Sequence, residues 1–487
     1  MPRHYLCLYG HFYQPPREDP FTGKISPEPG AAPYANFNEK ITAECYRPNA
    51  EAGNFEHISF DLGPTLATWM EKHAPDVYAR ILAADWLSVQ RTGHGNALAQ
   101  AYNHTILPLA TIRDKRTQIA WGMADFQHRF GRKPEGMWLA ETAVDMECLE
   151  VLADAGITYT VLAPWQAAEG IDATEPYLVR LGNGRSITVF FYNAPLSGGV
   201  SFDGSMTHNA DSFAASYLPH HLNRRKDEQG EAQLITVATD GELYGHHKPR
   251  RDQFLAHLVR QGAPAFGFEV CSLGSYLDRF PPKKETKLHT PSSWSCHHGV
   301  LRWGAGCGCT EGDTAWKPAL RRAFDHLAAA GDALFEQHLV PVVDDPWAAR
   351  DAYLALQQGW MEPGAFWARH GKKGRPPKDQ TTLEQALLLL QAQYYQQWMF
   401  TSCGFFFEDL DRIEPRNDIA FARRAISLYW QATWVDMQRA FLADLAEARS
   451  WRTGKTGADL YRKLPVVSVE KLPGVEVAVS GRSGLAT

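Results

Sequence analysis

Residues 136–162 read GMWLAETAVDMECLEVLADAGITYTVL, and this stretch decides the predicted fold. Residues 136–139 form a short apolar run typical of a buried strand. Residues 147–155 place apolar side chains on one helical face, and Gly156 follows as a residue suited to end a helix. Residues 157–162 are rich in β-branched and aromatic side chains and have the length of a strand. The stretch therefore predicts a strand–helix–strand unit.

The same alternation extends outward along the chain. Further strand-length segments rich in β-branched or aromatic residues are residues 5–9, 186–192, 234–239 and 266–271. Helix-like stretches lie between most of these segments. Strands that alternate with helices predict a parallel α/β architecture, either open or closed into a barrel.

The pattern changes after the Pro-Pro-Lys-Lys sequence at residues 281–284. A loop-like stretch continues to about residue 313, and apolar residues then recur at helical spacing, as in residues 381–400 and 417–448. We therefore divide the chain into three parts: a catalytic barrel (1–285), a loop and helical region that completes the active-site cleft (286–465) and a C-terminal tail (466–487).

Composition excludes several classes of partner. The formal net charge is −6, with 44% hydrophobic and 21% charged residues, so we expect a globular protein and no nucleic-acid partner. No segment approaches the roughly 18 apolar residues of a membrane span, and the apolar run at residues 5–9 is too short for a signal peptide. Because the eight cysteines are sparse, we expect a cytoplasmic location. The oligomeric state is not predicted.

Two carboxylates follow predicted strands. Glu141 follows residues 136–140, and Asp240 ends the run 235–240. Working groups of parallel α/β folds lie at the carboxyl ends of strands. Glycoside hydrolysis needs two carboxyl groups of different pKa, separated by about 5–5.5 Å for retention or about 6.5–9.5 Å for inversion. The positions of Glu141 and Asp240 after strands also fit a structural role, in which each acid caps the helix that follows.

Four motifs in order identify a family resemblance. They are His-Phe-Tyr-Gln-Pro (11–15), Tyr-Asn-His-Thr-Ile-Leu-Pro (102–108), Trp-Leu-Ala-Glu (138–141) and Asp-Gly-Glu-Leu-Tyr-Gly-His (240–246). With these motifs the chain resembles glycoside hydrolase family 57, in the branch whose C-terminal half is a domain of unknown function.

The resemblance implies both fold and chemistry. The fold is an incomplete, TIM-like (β/α)7 barrel with a C-terminal, mainly α-helical region. Glu141 is the nucleophile and Asp240 the general acid/base of a retaining enzyme that acts on α-glycosidic bonds. The substrate is an α-glucan or an α-linked oligosaccharide, and no cofactor is expected. Hydrolysis and glycosyl transfer both stay open.

Further residues are candidates for sugar contacts. From the motifs these are His11, Gln14, His104, Trp138 and His246, and from the aromatic loop that follows the barrel they are Trp294, His298, Arg302 and Trp303. The fifth family motif, Ser-Asp-Trp-Phe-x-Trp, is replaced here by Ser-Cys-Gly-Phe-Phe-Phe-Glu-Asp at residues 402–409, with Asp409 as the shifted acid. This departure leaves the identity of the sugar open.

The sequence leaves three other interpretations open. Cysteine and histidine cluster at residues 296–309, but the spacing lacks two Cys-x-x-Cys pairs, so no metal ligand is predicted. Whether Cys296, His297, Cys307 and Cys309 bind a metal or form a disulfide stays open. A metal-dependent carbohydrate deacetylase would use Asp240, His246 and His247 as ligands, although the usual spacing of such ligands is absent. A glycan-binding protein without activity is the third alternative.

Overall fold

The computed structural model describes residues 3–464, which divide into two compact units. The first unit consists of residues 3–16, 26–102 and 125–297, and the second of residues 17–25, 103–124 and 298–464. The predicted tail, residues 466–487, lies outside the described residues.

Ten strands belong to the first unit. They are β1 (His4–Phe12), β2 (Ser59–Leu62), β3 (Ala97–Gln100), β4 (Met137–Trp138), β5 (Tyr159–Leu162), β6 (Tyr177–Arg180), β7 (Ser186–Phe191), β8 (Gln233–Asp240), β9 (Phe268–Val270) and β10 (Lys284–Glu285). Seven of them follow one another in parallel in the order β7, β5, β4, β3, β2, β1 and β8, with β4 and β5 joined by the bridge between Gly136 and Tyr159. The amide of Asn193, just after β7, donates to the carbonyl of Thr236 in β8 across 2.7 Å. The predicted parallel α/β barrel is therefore confirmed.

The remaining strands extend this arrangement. β9 pairs in parallel with residues 4–6 of β1, β6 is antiparallel to β7, and β10 is parallel to β6. The core of the barrel is largely aromatic: Tyr5, Tyr9, Trp138, Tyr159 and Phe190 belong to one buried cluster. The strands β2, β3, β4 and β5 are buried along their whole length, as expected where helices cover the outside of a parallel sheet.

The helices of the first unit are short apart from two. They are Phe37–Ile41, Arg47–Glu51, Pro64–His73, Pro75–Thr92, Met146–Asp154, Ala194–Phe202, Ala210–Ser212, Arg224–Gln229, Arg251–His257, Ala263–Ala265 and Leu273–Arg279. The helix Ile112–Phe130 contributes residues to both units. The predicted helix at 147–155 is thus present, capped by the side chain of Asp145 on the amide of Cys148.

The second unit is mainly α-helical, as predicted for the C-terminal region. Its helices are Trp316–Leu339, Pro346–Gln357, Pro363–His370, Gln380–Trp398, Cys403–Phe406, Ile413–Thr433, Gln438–Leu445 and Gly457–Lys463. Its interior holds buried glutamines as well as apolar residues. The amides of Gln393 and Gln396 are paired there, since both donate to Oδ1 of Asp332 at 2.8 Å. Within residues 3–464, no helix is long and apolar enough to cross a bilayer.

Candidate active site

Three strand ends form one row at the carboxyl edge of the barrel. In the strand registers, His11 of β1 lies beside Asp61 of β2 on one side and beside Asp240 of β8 on the other. Parallel strands open into loops at this edge, where barrel enzymes carry their working residues. A histidine therefore stands between two carboxylates.

His11 is a buried cation held by Asp61. Its Nδ1 lies 2.8 Å from Oδ2 of Asp61, and the hydroxyl of Tyr9 donates to Oδ1 of the same carboxylate at 2.8 Å. Burial lowers the pKa of His11, whereas the charge and hydrogen bond of Asp61 raise it. The charges of Asp240 and Glu242 add to the rise, and the resulting pKa is about 9. The imidazole is therefore protonated at neutral pH.

Glu141 stands on a strained turn just after β4. Its φ is 58° and that of Thr142 is 48°, in the left-handed region that few residues other than glycine adopt. Gln166 holds this turn from both sides: the Thr142 hydroxyl donates to Oε1 of Gln166 at 2.8 Å, and Nε2 of Gln166 donates to the Thr142 carbonyl at 2.9 Å. Gln166 is completely buried and also contacts the Ala163 amide and the Ser292 hydroxyl. These bonds offset a strain of about 1–3 kcal/mol per residue.

The carboxylate of Glu141 is held by the loop that follows the barrel strands. Nε1 of Trp294 and Oγ of Ser295 both donate to Oε2 of Glu141, at 2.8 Å and 2.6 Å. Burial raises the pKa of Glu141, and the bonds from Ser295 and Trp294 lower it; the net shift is upward. The charges of Asp240 and His11 act on it in opposite directions. Glu141 therefore lies within electrostatic range of two residues of the row, His11 and Asp240.

Asp240 contrasts with Glu141. It ends β8, is exposed to solvent, and no hydrogen bond engages its carboxylate within residues 3–464. Its negative charge nevertheless raises the pKa of both Glu141 and His11. The site therefore combines one fixed carboxylate with one that is open to solvent.

A second buried acid lies next to Asp240. Oε1 of Glu242 accepts a hydrogen bond from the hydroxyl of Tyr46 at 2.6 Å and from the amide of Tyr13 at 3.3 Å. Gln14 donates to the same Tyr46 hydroxyl at 3.2 Å. Burial raises the pKa of Glu242 to about 7 against the hydrogen bond from Tyr46, and the charge of Asp240 adds to the rise. Glu242 therefore changes charge near neutral pH.

Trp138 packs against His11 of the row. Its ring is completely buried, stacks on His11 with the ring centroids 5.2 Å apart, and meets Trp294 edge-on at 5.1 Å. His246 lies farther along the loop after β8, where Nδ1 is 2.5 Å from Oε2 of Glu44 and the ring is 4.8 Å from that of His247. Trp138 thus packs against His11 of the row, and His246 makes a separate contact with Glu44.

The second unit brings two of the quoted motifs together. Nδ1 of His104 lies 2.6 Å from Oγ of Ser402, and the amide of Ser402 donates to the His104 carbonyl at 3.1 Å. Thr105 and Thr401 form a bridge beside this pair. Like Glu141, His104 has a positive φ, of 53°. The segment around residue 104 and the start of the segment 402–409 are therefore one structural element.

Both carboxylate oxygens of Asp409 already accept hydrogen bonds from the protein. It is buried and accepts hydrogen bonds from the hydroxyl of Ser450 at 2.9 Å and 3.0 Å, from the amide of Asp411 at 2.8 Å and from the amide of Arg452 at 3.3 Å. These partners tie the end of the segment 402–409 to the loop at residues 450–452.

The three candidates at residues 298–303 have different surroundings. His298 is exposed, and its Nδ1 lies 3.4 Å from Sγ of Cys309. Arg302 donates to the carbonyl of Cys309 and covers the ring of Phe406 at 4.3 Å. Trp303 is completely buried.

Sequence reasoning missed four residues that shape the site. Asp61 is a charged residue near the carboxyl end of a buried strand, and Ser295 is next to the predicted Trp294, so local signals exist for both. Glu242 lies within the quoted 240–246 motif without having been singled out. Gln166 has no local signal for this role, because its contacts with Thr142 and Ser292 join residues more than twenty positions apart in the chain.

Comparison with known proteins decides the family. The model for glycosyl hydrolase family 57 matches residues 27–289, more than half of the 487 residues. The chain belongs to glycosyl hydrolase family 57. A second family model, a domain of unknown function (DUF3536), matches residues 313–481. The predicted membership of family 57, with this C-terminal domain, is confirmed.

Three similar proteins share less than 30% of their residues with this chain over the matched regions. α-Amylase 1 of Dictyoglomus thermophilum is 29% identical over 137 residues, which cover 27% of this chain but only 19% of that curated relative. An exo-type maltose-forming amylase from Pyrococcus sp. ST04 superimposes with a TM-score of 0.70 at 15% identity, over 91% of this chain and 82% of the other. The family 57 branching enzyme of Thermococcus kodakaraensis gives a TM-score of 0.60 at 16% identity, over 94% and 96%. At these identities the likeness establishes the fold, a TIM-like barrel with a helical region.

Proposed function

We propose that this protein is a retaining glycoside hydrolase or transglycosidase of α-glycosidic bonds, with Glu141 as nucleophile and Asp240 as general acid/base. The observation that carries the proposal is the geometry of the Glu141 carboxylate. Trp294 and Ser295 both bond Oε2, so Oε1 is the oxygen assigned to attack the anomeric carbon. A nucleophile held in one orientation reduces the entropy cost of the attack.

The charges around Glu141 support this assignment. A nucleophilic carboxylate must be ionised, and the two hydrogen bonds together with the cationic His11 favour the ionised form against the effect of burial. His11 is a fixed positive charge because Asp61 holds its ring. We assign His11 to the sugar hydroxyls next to the scissile bond.

The open position of Asp240 suits proton transfer. A general acid/base must reach the leaving oxygen first and an incoming water or sugar hydroxyl afterwards. Asp240 is exposed and has no hydrogen bond within the described residues, so its carboxyl group can serve both steps. Whether water or a sugar enters decides between hydrolysis and transfer.

The substrate class rests on relatives. The names of the similar proteins include α-amylase, maltose-forming amylase and branching enzyme, so we propose an α-glucan or an α-linked oligosaccharide as substrate. Gln14, Trp138, His246 and Trp294 stay proposed substrate-side residues of the first unit, and His104, Arg302, Trp303 and Asp409 those of the second. Their buried or saturated groups favour a supporting role for Trp138, Trp303 and Asp409.

The test is product formation from a panel of α-glucans and α-linked oligosaccharides, with the anomeric form of the first product read by NMR. We expect the α-anomer first, and a loss of roughly three orders of magnitude or more in both Glu141→Gln and Asp240→Asn. Glu169→Gln, which changes an exposed glutamate elsewhere on the first unit, is the matched control and should retain full activity. A β-anomer first, or a fully active Glu141→Gln, contradicts the proposal.

A further inference from the structure

A cluster of side chains that can bind a metal ion lies in the second unit, at residues 298–309. The ligand atoms of His298, Cys307 and Cys309 all lie within 4.8 Å of one another. The shortest of these approaches joins Nδ1 of His298 to Sγ of Cys309, at 3.4 Å. No disulfide is formed by any of these cysteines.

We propose that His298, Cys307 and Cys309 bind a zinc ion. Thiolate and imidazole are the ligands that Zn²⁺ prefers, with bonds of about 2.3 Å to sulfur and about 2.0–2.1 Å to nitrogen. In a tetrahedron with such bonds, neighbouring ligand atoms are about 3.5–3.8 Å apart. The distance of 3.4 Å between Nδ1 of His298 and Sγ of Cys309 already matches the nitrogen–sulfur distance of such a tetrahedron. Because no two ligand atoms are more than 4.8 Å apart, Cys307 has to move by about 1 Å at most.

The loop that carries the two cysteines is already held in shape. Arg302 donates to the carbonyl of Cys309, and the amide of Gly306 donates to the carbonyl of Leu301 at 2.7 Å. Gly306 has a φ of 82°, a conformation that favours glycine, and the turn there returns the chain toward residue 301. A loop fixed in this way loses little entropy when the metal binds.

The chain offers a fourth thiol close in sequence. Cys296 lies two residues before His298 in the sequence, and three cysteines with one histidine are one of the usual ligand sets of structural zinc. Cys296 also directly follows Ser295, the donor to Glu141.

Elemental analysis of the full chain, produced with zinc in the medium and dialysed without chelator, tests the proposal independently of any activity. We expect about one zinc per chain in the wild type, and less than about a fifth of that in Cys307→Ser and Cys309→Ser. Cys403→Ser, at a cysteine outside the cluster in the same unit, is the matched control and should keep its zinc. Replacement by Co²⁺ should give the visible absorption of a tetrahedral thiolate site in the wild type and not in Cys309→Ser.

Other results overturn the proposal. A wild-type protein without zinc that also gives no thiolate spectrum with Co²⁺ excludes the site. Retention of full zinc by the double variant Cys307→Ser/Cys309→Ser places the metal elsewhere. Thiol counting that finds a bond between Cys307 and Cys309 in the isolated protein replaces the metal site with a disulfide. Circular dichroism of each variant shows whether it is folded, so loss of metal is not confused with loss of structure.

Discussion

The hydroxyl of Ser295 lies 2.6 Å from Oε2 of Glu141, although the two residues are 154 positions apart in the chain. The indole of Trp294 reaches the same oxygen at 2.8 Å. Both bonds stabilise the charged form of the proposed nucleophile, so the loop at residues 294–295 controls the pH range in which Glu141 can attack.

Ser295→Ala should therefore move the acidic limb of kcat/KM to higher pH. In the wild type, the hydrogen bond from Ser295 lowers the pKa of Glu141, so its loss should raise that pKa. A hydrogen bond to a charged group contributes about 1.5–3 kcal/mol, which corresponds to about one to two pKa units. Activity should recover partly at higher pH. Ser295→Thr, which keeps a hydroxyl, is the control; an unchanged acidic limb in Ser295→Ala would show that this bond does not tune the nucleophile.

Gln166→Leu should lower kcat with little change in KM. The variant removes the bonds that hold Thr142 and thereby releases the strained turn that presents Glu141. It also leaves buried polar groups unpaired, at a cost of about 1–3 kcal/mol each in stability. Thr142→Ser retains the hydroxyl and removes the β-branch, so it should be milder. Steady-state kinetics and urea denaturation measure both effects; a Gln166→Leu enzyme with normal kcat would contradict the positioning role.

The pair of His11 and Asp61 should make stability fall as the solution becomes alkaline. The pKa of His11 is raised from 6.5 to about 9 in the folded state, so its contribution is fully present below about pH 6.5 and is lost as the pH rises through about 9. At about 1.4 kcal/mol per pKa unit, the contribution is at most about 3.5 kcal/mol. Thermal denaturation across this range measures it, with NMR titration of the His11 ring.

Asp61→Asn is the reference for that experiment. Without the carboxylate, burial dominates, and the pKa of His11 should fall below its ordinary value. The decline in stability between about pH 6.5 and 9 should then be smaller than in the wild type. If the stability of the wild type and of Asp61→Asn declined equally over this pH range, titratable groups other than His11 would be responsible.

The contact between His104 and Ser402 should appear as a coupling energy in the second unit. Ser402→Ala removes the 2.6 Å contact, and His104→Asn supplies a side chain that tolerates the positive φ of 53°. We expect a coupling of about 1 kcal/mol in a double-mutant cycle followed by thermal denaturation. Strictly additive effects would mean that the two segments are not energetically linked.

Strand positions were predicted closely where the pattern was strong. The run 234–239 became β8, residues 233–240, and the run 186–192 became β7, residues 186–191, because β-branched and aromatic residues fill fully buried parallel strands. β2 and β3 have only four residues each, including the polar Asp61 and Gln100, and no apolar run indicated them.

The site was predicted as far as its residues lie in motifs. The sequence singles out Glu141 and Asp240 as candidates, but nothing local shows that Ser295 bonds Glu141 or that Asp61 makes His11 a cation. These relationships depend on strand register and on a loop that returns over more than 150 positions, so they exist only in the folded chain. The cysteine and histidine cluster at residues 296–309 was noticed in the sequence, but its irregular spacing gave no metal prediction, and only the fold shows that its ligand atoms converge in space.

The most direct test of the central claim is to trap the glycosyl–enzyme intermediate. The protein would be incubated with a fluorinated α-glucosyl fluoride, which forms the intermediate faster than it breaks down, then digested and analysed by mass spectrometry. The account predicts one added glycosyl group on the peptide that contains Glu141, and none in Glu141→Gln. A label on another carboxylate, such as Asp240 or Glu242, would contradict the assignment of the nucleophile.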